Sequence, residues 1–176
     1  MKYQQLLSYS RANIGDNFPA TNKIISPHLF EVGCRWMFYR LNERDTQPHP
    51  PFNSSVNYLG YGLLKYGISF FFFLFSIWFF LKVNILLVPL SIVLFYLIEI
   101  HFLFLFPIML DGIKNPVWTC IRQTYKTGIL KALITTIPIG CYMMWGLLNI
   151  TNPFRNWYIG CLAIITWYQN EVRNRL

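Results

Sequence analysis

The sequence predicts an all-α integral membrane helical bundle with about four transmembrane helices, preceded by an N-terminal amphipathic helix lying in the membrane interface. Three observations lead there. Only 12% of the 176 residues are charged, whereas a typical soluble domain is about one quarter charged and needs that polarity to cover its outside. Hydrophobic residues make up 55% and aromatic residues 19% of the chain. Three stretches come close to the ~20 apolar residues that cross a hydrocarbon core.

Residues 1–57 form a polar N-terminal segment. Residues 1–25, mixed and rich in Asn, read as a loop or loosely attached tail. They lack the apolar core and small-residue cleavage site of a signal peptide, so the first span is expected to act as its own insertion signal. A helix is predicted over about 27–44, with Ser26 as cap and Pro27 at the first helical position. Leu29, Gly33, Trp36 and Leu41 lie near one face, flanked by Glu31, Arg35 and Arg44. Such a helix fits the membrane interface, or packs on a partner or on the bundle's own end. "TQPHPPFNSS", 46–55, then breaks any helix with its prolines and reads as a linker.

The transmembrane bundle occupies 58–176. Its first span covers about Tyr61–Leu81, around "ISFFFFLFSIWFFL", and stops at Lys82 and Asn84. The second, about Ile85–Leu110, is long enough to tilt. The third covers about Ala132–Ile150, and Asn115-Pro116 followed by the amphipathic "VWTCIRQTYKTGILK" suggests that it extends outward. The fourth, about Pro153–Gln169, is the weakest, with an apolar heart of only Trp157–Tyr168. Charge placement supports four crossings. One side then holds thirteen of the fifteen basic residues, and the other holds only Lys82 and Arg155. The positive-inside rule predicts this bias, with both termini on the cytoplasmic or equivalent side of a plasma (inner) or organellar membrane.

The net charge of +8 follows from topology and from attraction to anionic headgroups, worth ~1 kcal/mol per basic residue near the surface. No basic stripe with interleaved aromatics points to nucleic acid. Cys34, Cys120, Cys141 and Cys161 show no CxxC spacing, so neither a zinc site nor a disulfide framework is expected, and they read as packing residues. No metal or cofactor motif is present. Asn53-Ser54-Ser55 and Asn149-Ile150-Thr151 match the glycosylation pattern but lie on the wrong side of, or too close to, the membrane.

The candidate site is the polar pair inside "YLIEIHFLFLFPIMLDG", 96–112. Eleven residues of straight helix to Leu110 would set Glu99 ~16 Å from that face, near the midplane, where a charge is costly. Counting the same depth on the other spans gives Ser76 and Tyr142, and Tyr96 shares the face of Glu99. The expectation is an intramembrane cluster of Glu99, Tyr96, Tyr142 and Ser76, either fastening helices or handling a proton, an ion or a polar head. His101 points about 200° away from Glu99 on the helix. It hints at a second buried face in an oligomer, or is a neutral ring bonded to a carbonyl or hydroxyl. Asp111, Lys114, Arg122 and Lys126 form a basic face where a headgroup or a partner's acidic loop can dock. Pro107 and Pro138 free the carbonyls of Leu103 and Ile134, and Thr135 and Thr136 can help satisfy them.

The expected function is a non-catalytic subunit or oligomeric scaffold of a membrane complex, with a membrane protein or a second copy as partner. The alternatives are an oligomeric ion- or proton-conducting channel with Glu99 in the path, and a lipid-active membrane enzyme using Glu99, His101 or Asp111.

Overall fold

The computed structural model describes residues 2–15, 29–43, 51–148 and 154–175, all helix, turn or loop with no strand. Among the described residues there are eight α-helices: α1 (Tyr3–Asn13), α2 (Leu29–Asn42), α3 (Tyr58–Val83), α4 (Leu90–Glu99), α5 (Leu105–Leu110), α6 (Pro116–Thr127), α7 (Ile129–Gly146) and α8 (Arg155–Trp167). Among the described residues, three stretches are long and apolar enough to cross a membrane: Tyr58–Val83, Ile85–Leu110 and Ile129–Gly146.

The 26-residue α3 forms because nothing interrupts it. Asn57 caps it by accepting the Gly60 amide at 2.8 Å, and no proline lies between Asn57 and Asn84. There the backbone turns extended, and the Asn84 side chain accepts the Leu86 amide at 2.9 Å. The chain reverses through a 3₁₀ turn, Ile85–Leu87, into α4. The helices α3 and α4 form a hairpin. Ser69, Ser76 and Ser91 are buried on it, small residues that let two helices approach. Phe73 meets Phe95 edge-on at 5.8 Å.

The second apolar stretch does not continue straight to Leu110. A 3₁₀ turn, Ile100–Phe102, follows Glu99, and Phe104 leaves helical geometry at φ −97, ψ 13. Pro107 has no N–H to give a continuous helix. The buried Ile100 carbonyl accepts the Leu103 amide at 3.1 Å and, from α6, the Thr124 hydroxyl at 3.0 Å. Leu105–Met109 on α5 are buried throughout, so this part of the stretch faces protein.

The core gathers around α8, which continues as a π-turn, Tyr168–Val172. Phe104 packs on Trp167 at 5.3 Å, and Trp36 on Tyr158 at 4.9 Å. The helices α7 and α8 run antiparallel. A Cβ on Gly146 would lie 2.2 Å from that of Asn156, and one on Gly160 would strike Met143. At the other end Lys131 pairs with Glu171.

Three expectations change. Residues 3–13 form a helix, not a loose tail, because Leu6, Ser10 and Ile14 recur on one face and bury against the core. The amphipathic extension of the third stretch is a separate helix, α6, ended by Gly128 at φ +95, a conformation that favours glycine. The last apolar segment, expected as the weakest span, holds α8, Arg155–Trp167, which is buried along most of its length as the core helix of the described fold. The cap at Ser26-Pro27, Arg44, linker residues 46–50 and Asn149–Pro153 lie outside the described residues.

Candidate functional site

At the foot of the α3–α4 hairpin the Lys65 ammonium meets the Glu99 carboxylate at 3.1 Å. Lys65 is only 4% exposed. Its Nζ also lies 5.2 Å from the Tyr66 ring centroid and 5.8 Å from that of Phe106, a cation–π environment that eases burial of the charge. The pairing follows from the hairpin. Lys65 lies nineteen residues before Asn84 and Glu99 fifteen after it, so the two return to about the same height. Sequence reasoning treated Lys65 only as a marker of topology. Counting from the reversal at Asn84, rather than from Leu110, would have found it. The straight-helix count from Leu110 fails because the helix breaks directly after Glu99.

The pair borders a cavity of about 520 Å³ between α2, α4, α7 and α8. Its walls are apolar and rich in aromatics and methionine, Phe30, Met37, Ile139, Met143 and Trp157 among them. Tyr96 lines it too, with its phenol against Gly140, where a Cβ would lie 2.1 Å from the hydroxyl. Thr136 lines it at 4% exposure, and its hydroxyl has no hydrogen-bond partner among the described residues.

Of the expected cluster, Glu99 and Tyr96 therefore share a cavity. Tyr142 is elsewhere: its hydroxyl donates to Asn156 at 3.1 Å and accepts from Arg11 at 3.2 Å. Ser76 donates to the Phe73 carbonyl within its own helix. His101 faces α6. Its Nδ1–H donates to the Leu97 carbonyl at 2.8 Å, and Nε2 lies 3.4 Å from the Tyr125 hydroxyl. Asp111 is drawn inward, accepting from Tyr168 at 2.6 Å and pairing with Arg173 at 3.0 Å. Lys114, Arg122 and Lys126 are exposed, and Trp118 and Tyr125 are exposed beside them on α6.

The thiols nearby are quiet. Burial pushes Cys34 and Cys120 up to about 12, far from the range in which a thiolate attacks at neutral pH. No group of three or more His, Cys, Asp or Glu able to hold a metal occurs among the described residues.

Fold and site together define a helical protein with, among the described residues, three stretches suited to a membrane and a buried ion pair on an apolar cavity. No family model, curated protein or solved structure matches the chain.

Proposed function

We propose that the protein is a membrane-anchored, non-catalytic subunit or oligomeric scaffold, held in the bilayer by the α3–α4 hairpin. The surface of α3 carries this reading: only 11% of its most apolar eighteen residues is buried. A helix apolar on every side belongs in lipid or against other apolar helices. From Lys65 to Lys82 it runs seventeen residues, or ~26 Å, close to the ~30 Å of a hydrocarbon core. The buried ion pair then lies at one edge of that core, with Lys82 and Asn84 at the other. Among the described residues, every basic residue but Lys82 then falls on the side of the termini, as the positive-inside rule favours. Trp118, Arg122, Tyr125 and Lys126, exposed on α6, fit the interface with anionic headgroups. In the same arrangement α2 lies beside the bilayer.

Four crossings are the second reading. The apolar length of α7 favours it, as does the antiparallel course of α8 along α7. Against it, α1 packs on α8 with Gln4, Gln5, Ser8 and Arg11 turned outward. In hydrocarbon an arginine costs ~2.5–3.5 kcal/mol at a helix centre. A single cysteine at Arg155, in a cysteine-free background, separates the two. With two crossings, membrane-impermeant maleimide labels it from the same side as a cysteine at Arg175. Labelling from opposite sides supports four.

A non-catalytic role is favoured because Glu99 is committed to Lys65 and the thiols of Cys34 and Cys120 are unreactive. The same pairing counts against a proton path through Glu99. Affinity purification in native lipid nanodiscs tests the subunit reading. A stoichiometric partner or a defined homo-oligomer is expected, and a lone monomer overturns it. A lipid-active enzyme would instead change the lipid composition of the discs in a manner abolished by Glu99→Gln.

A further inference from the structure

We infer that the cavity beside Lys65 and Glu99 binds a single-tailed amphiphile with an uncharged, oxygen-bearing head. It rests on the membrane reading above and not on the subunit reading, so retrieval of a partner and binding of this ligand can fail separately.

Size and lining set the ligand class. About 520 Å³ falls within the ~300–1,000 Å³ of ligand pockets, which combine apolar walls with a few polar groups. The polar groups are few, and together they carry no net charge. Lys65 and Glu99 cancel in charge. An anionic head that approached the ammonium would meet the carboxylate at the same place, and a cationic head the reverse. An uncharged hydroxyl or carbonyl meets neither conflict. It can accept from Lys65, whose ammonium carries three donors, or donate to Glu99. Thr136 has a buried hydroxyl without a partner among the described residues, costly unless another group supplies one.

The route in points to the membrane. Leu29, Met144 and Leu147 both line the cavity and stand among the exposed apolar residues of the surface. Phe95 and Tyr96, from the hairpin itself, complete the same wall. A molecule dissolved in the bilayer thus reaches the cavity over apolar surface, tail and head together. Gly33 leaves room on the α2 side, where a Cβ would meet nothing within 4 Å.

Tritiated monopalmitoylglycerol, competed by unlabelled ligands against the purified full-length protein in detergent, gives the test. Saturable one-to-one binding is expected. Competitors with shorter tails should weaken about fourfold per methylene removed, the transfer value for a buried methylene. Palmitate at pH 8 should compete at least tenfold more weakly than the neutral glyceride. A prenylated benzoquinone as a further competitor tells whether a glyceride or a quinone head is preferred, and either result supports the class. Gly33→Phe, which fills the open space with a ring, should lower affinity more than tenfold while thermal stability is kept. Thr136→Val should lower it about fivefold, the loss of one hydrogen bond. Unsaturable binding, equal binding to Gly33→Phe and to wild type, or palmitate binding as tightly as the glyceride overturns the proposal. Should Gly33→Phe fail to fold, an unchanged affinity in Thr136→Val overturns the proposed head contact by itself.

Discussion

Glu99→Gln removes one member of a buried ion pair and leaves the other in place. At 3.1 Å and an effective dielectric of about 20, the two charges attract by about 5 kcal/mol. Each ion also loses several kcal/mol of hydration on burial, so the intact pair roughly breaks even. The single variant loses the attraction and keeps the desolvation of Lys65, which is 4% exposed. The expected loss is ~3–5 kcal/mol, or a fall in Tm of about 10 °C for a protein of this length. Lys65→Met should cost a similar amount. The double variant Lys65→Met/Glu99→Leu removes both charges and should return to near wild-type stability. Thermal unfolding in detergent, followed by circular dichroism across the double-mutant cycle, measures the coupling. Glu99→Gln within about 2 °C of wild type, or a double variant as damaged as the sum of the singles, would refute the reasoning.

Other expectations concern the α7–α8 pair, acid and the thiols. Gly146→Ala sets a methyl 2.2 Å from the Asn156 Cβ and should cost ~1–3 kcal/mol, read as a lower Tm; an unchanged Tm would mean the helices part freely. Burial by itself would raise the Glu171 carboxyl, but the hydrogen bond and charge of Lys131 hold it down to about 2 from the usual 4.5. Its folded value is depressed, so its contribution is complete above pH 4.5 and is lost as pH falls toward 2. Wild type should therefore lose stability over that window more steeply than Glu171→Gln, and parallel curves would remove the assignment. Cys34 and Cys120 should resist maleimide at pH 7 until the protein unfolds, since burial pushes both thiols to about 12; mass spectrometry of tryptic peptides reads the result.

Composition was enough for an all-helical chain with membrane-length stretches, because apolar runs of that length have few other homes. The reversal at Lys82-Val83-Asn84 was equally legible, as polar residues between two apolar runs. Burial by tertiary contacts was not. The stretch 85–110 reads as one span, since nothing local separates residues that face lipid from those on α5 that face protein. Only the 3₁₀ turn and the Thr124 bond to Ile100, made from α6, reveal the division. The segment at 153–169 looked weak for the same reason. Its apolar run is short because α1, α2 and α7 cover it. Of the site, Glu99 and Tyr96 stood out as polar groups in an apolar run. Lys65 did not, because seven residues into α3 it reads as a flanking charge until the hairpin folds it toward Glu99.

Because α1 rests on α8, a helix made before the hairpin waits for one made well after it. The hairpin is complete once residue 99 emerges; α8 and its π-turn finish at residue 172. Seventy-three residues separate those events, about ten seconds of synthesis at usual rates. During that interval an inserted hairpin holds a half-built protein in which α1 and α2 lack the cover of α8. Nascent chains stalled before residue 155 should therefore be the form most readily captured by chaperones and proteases.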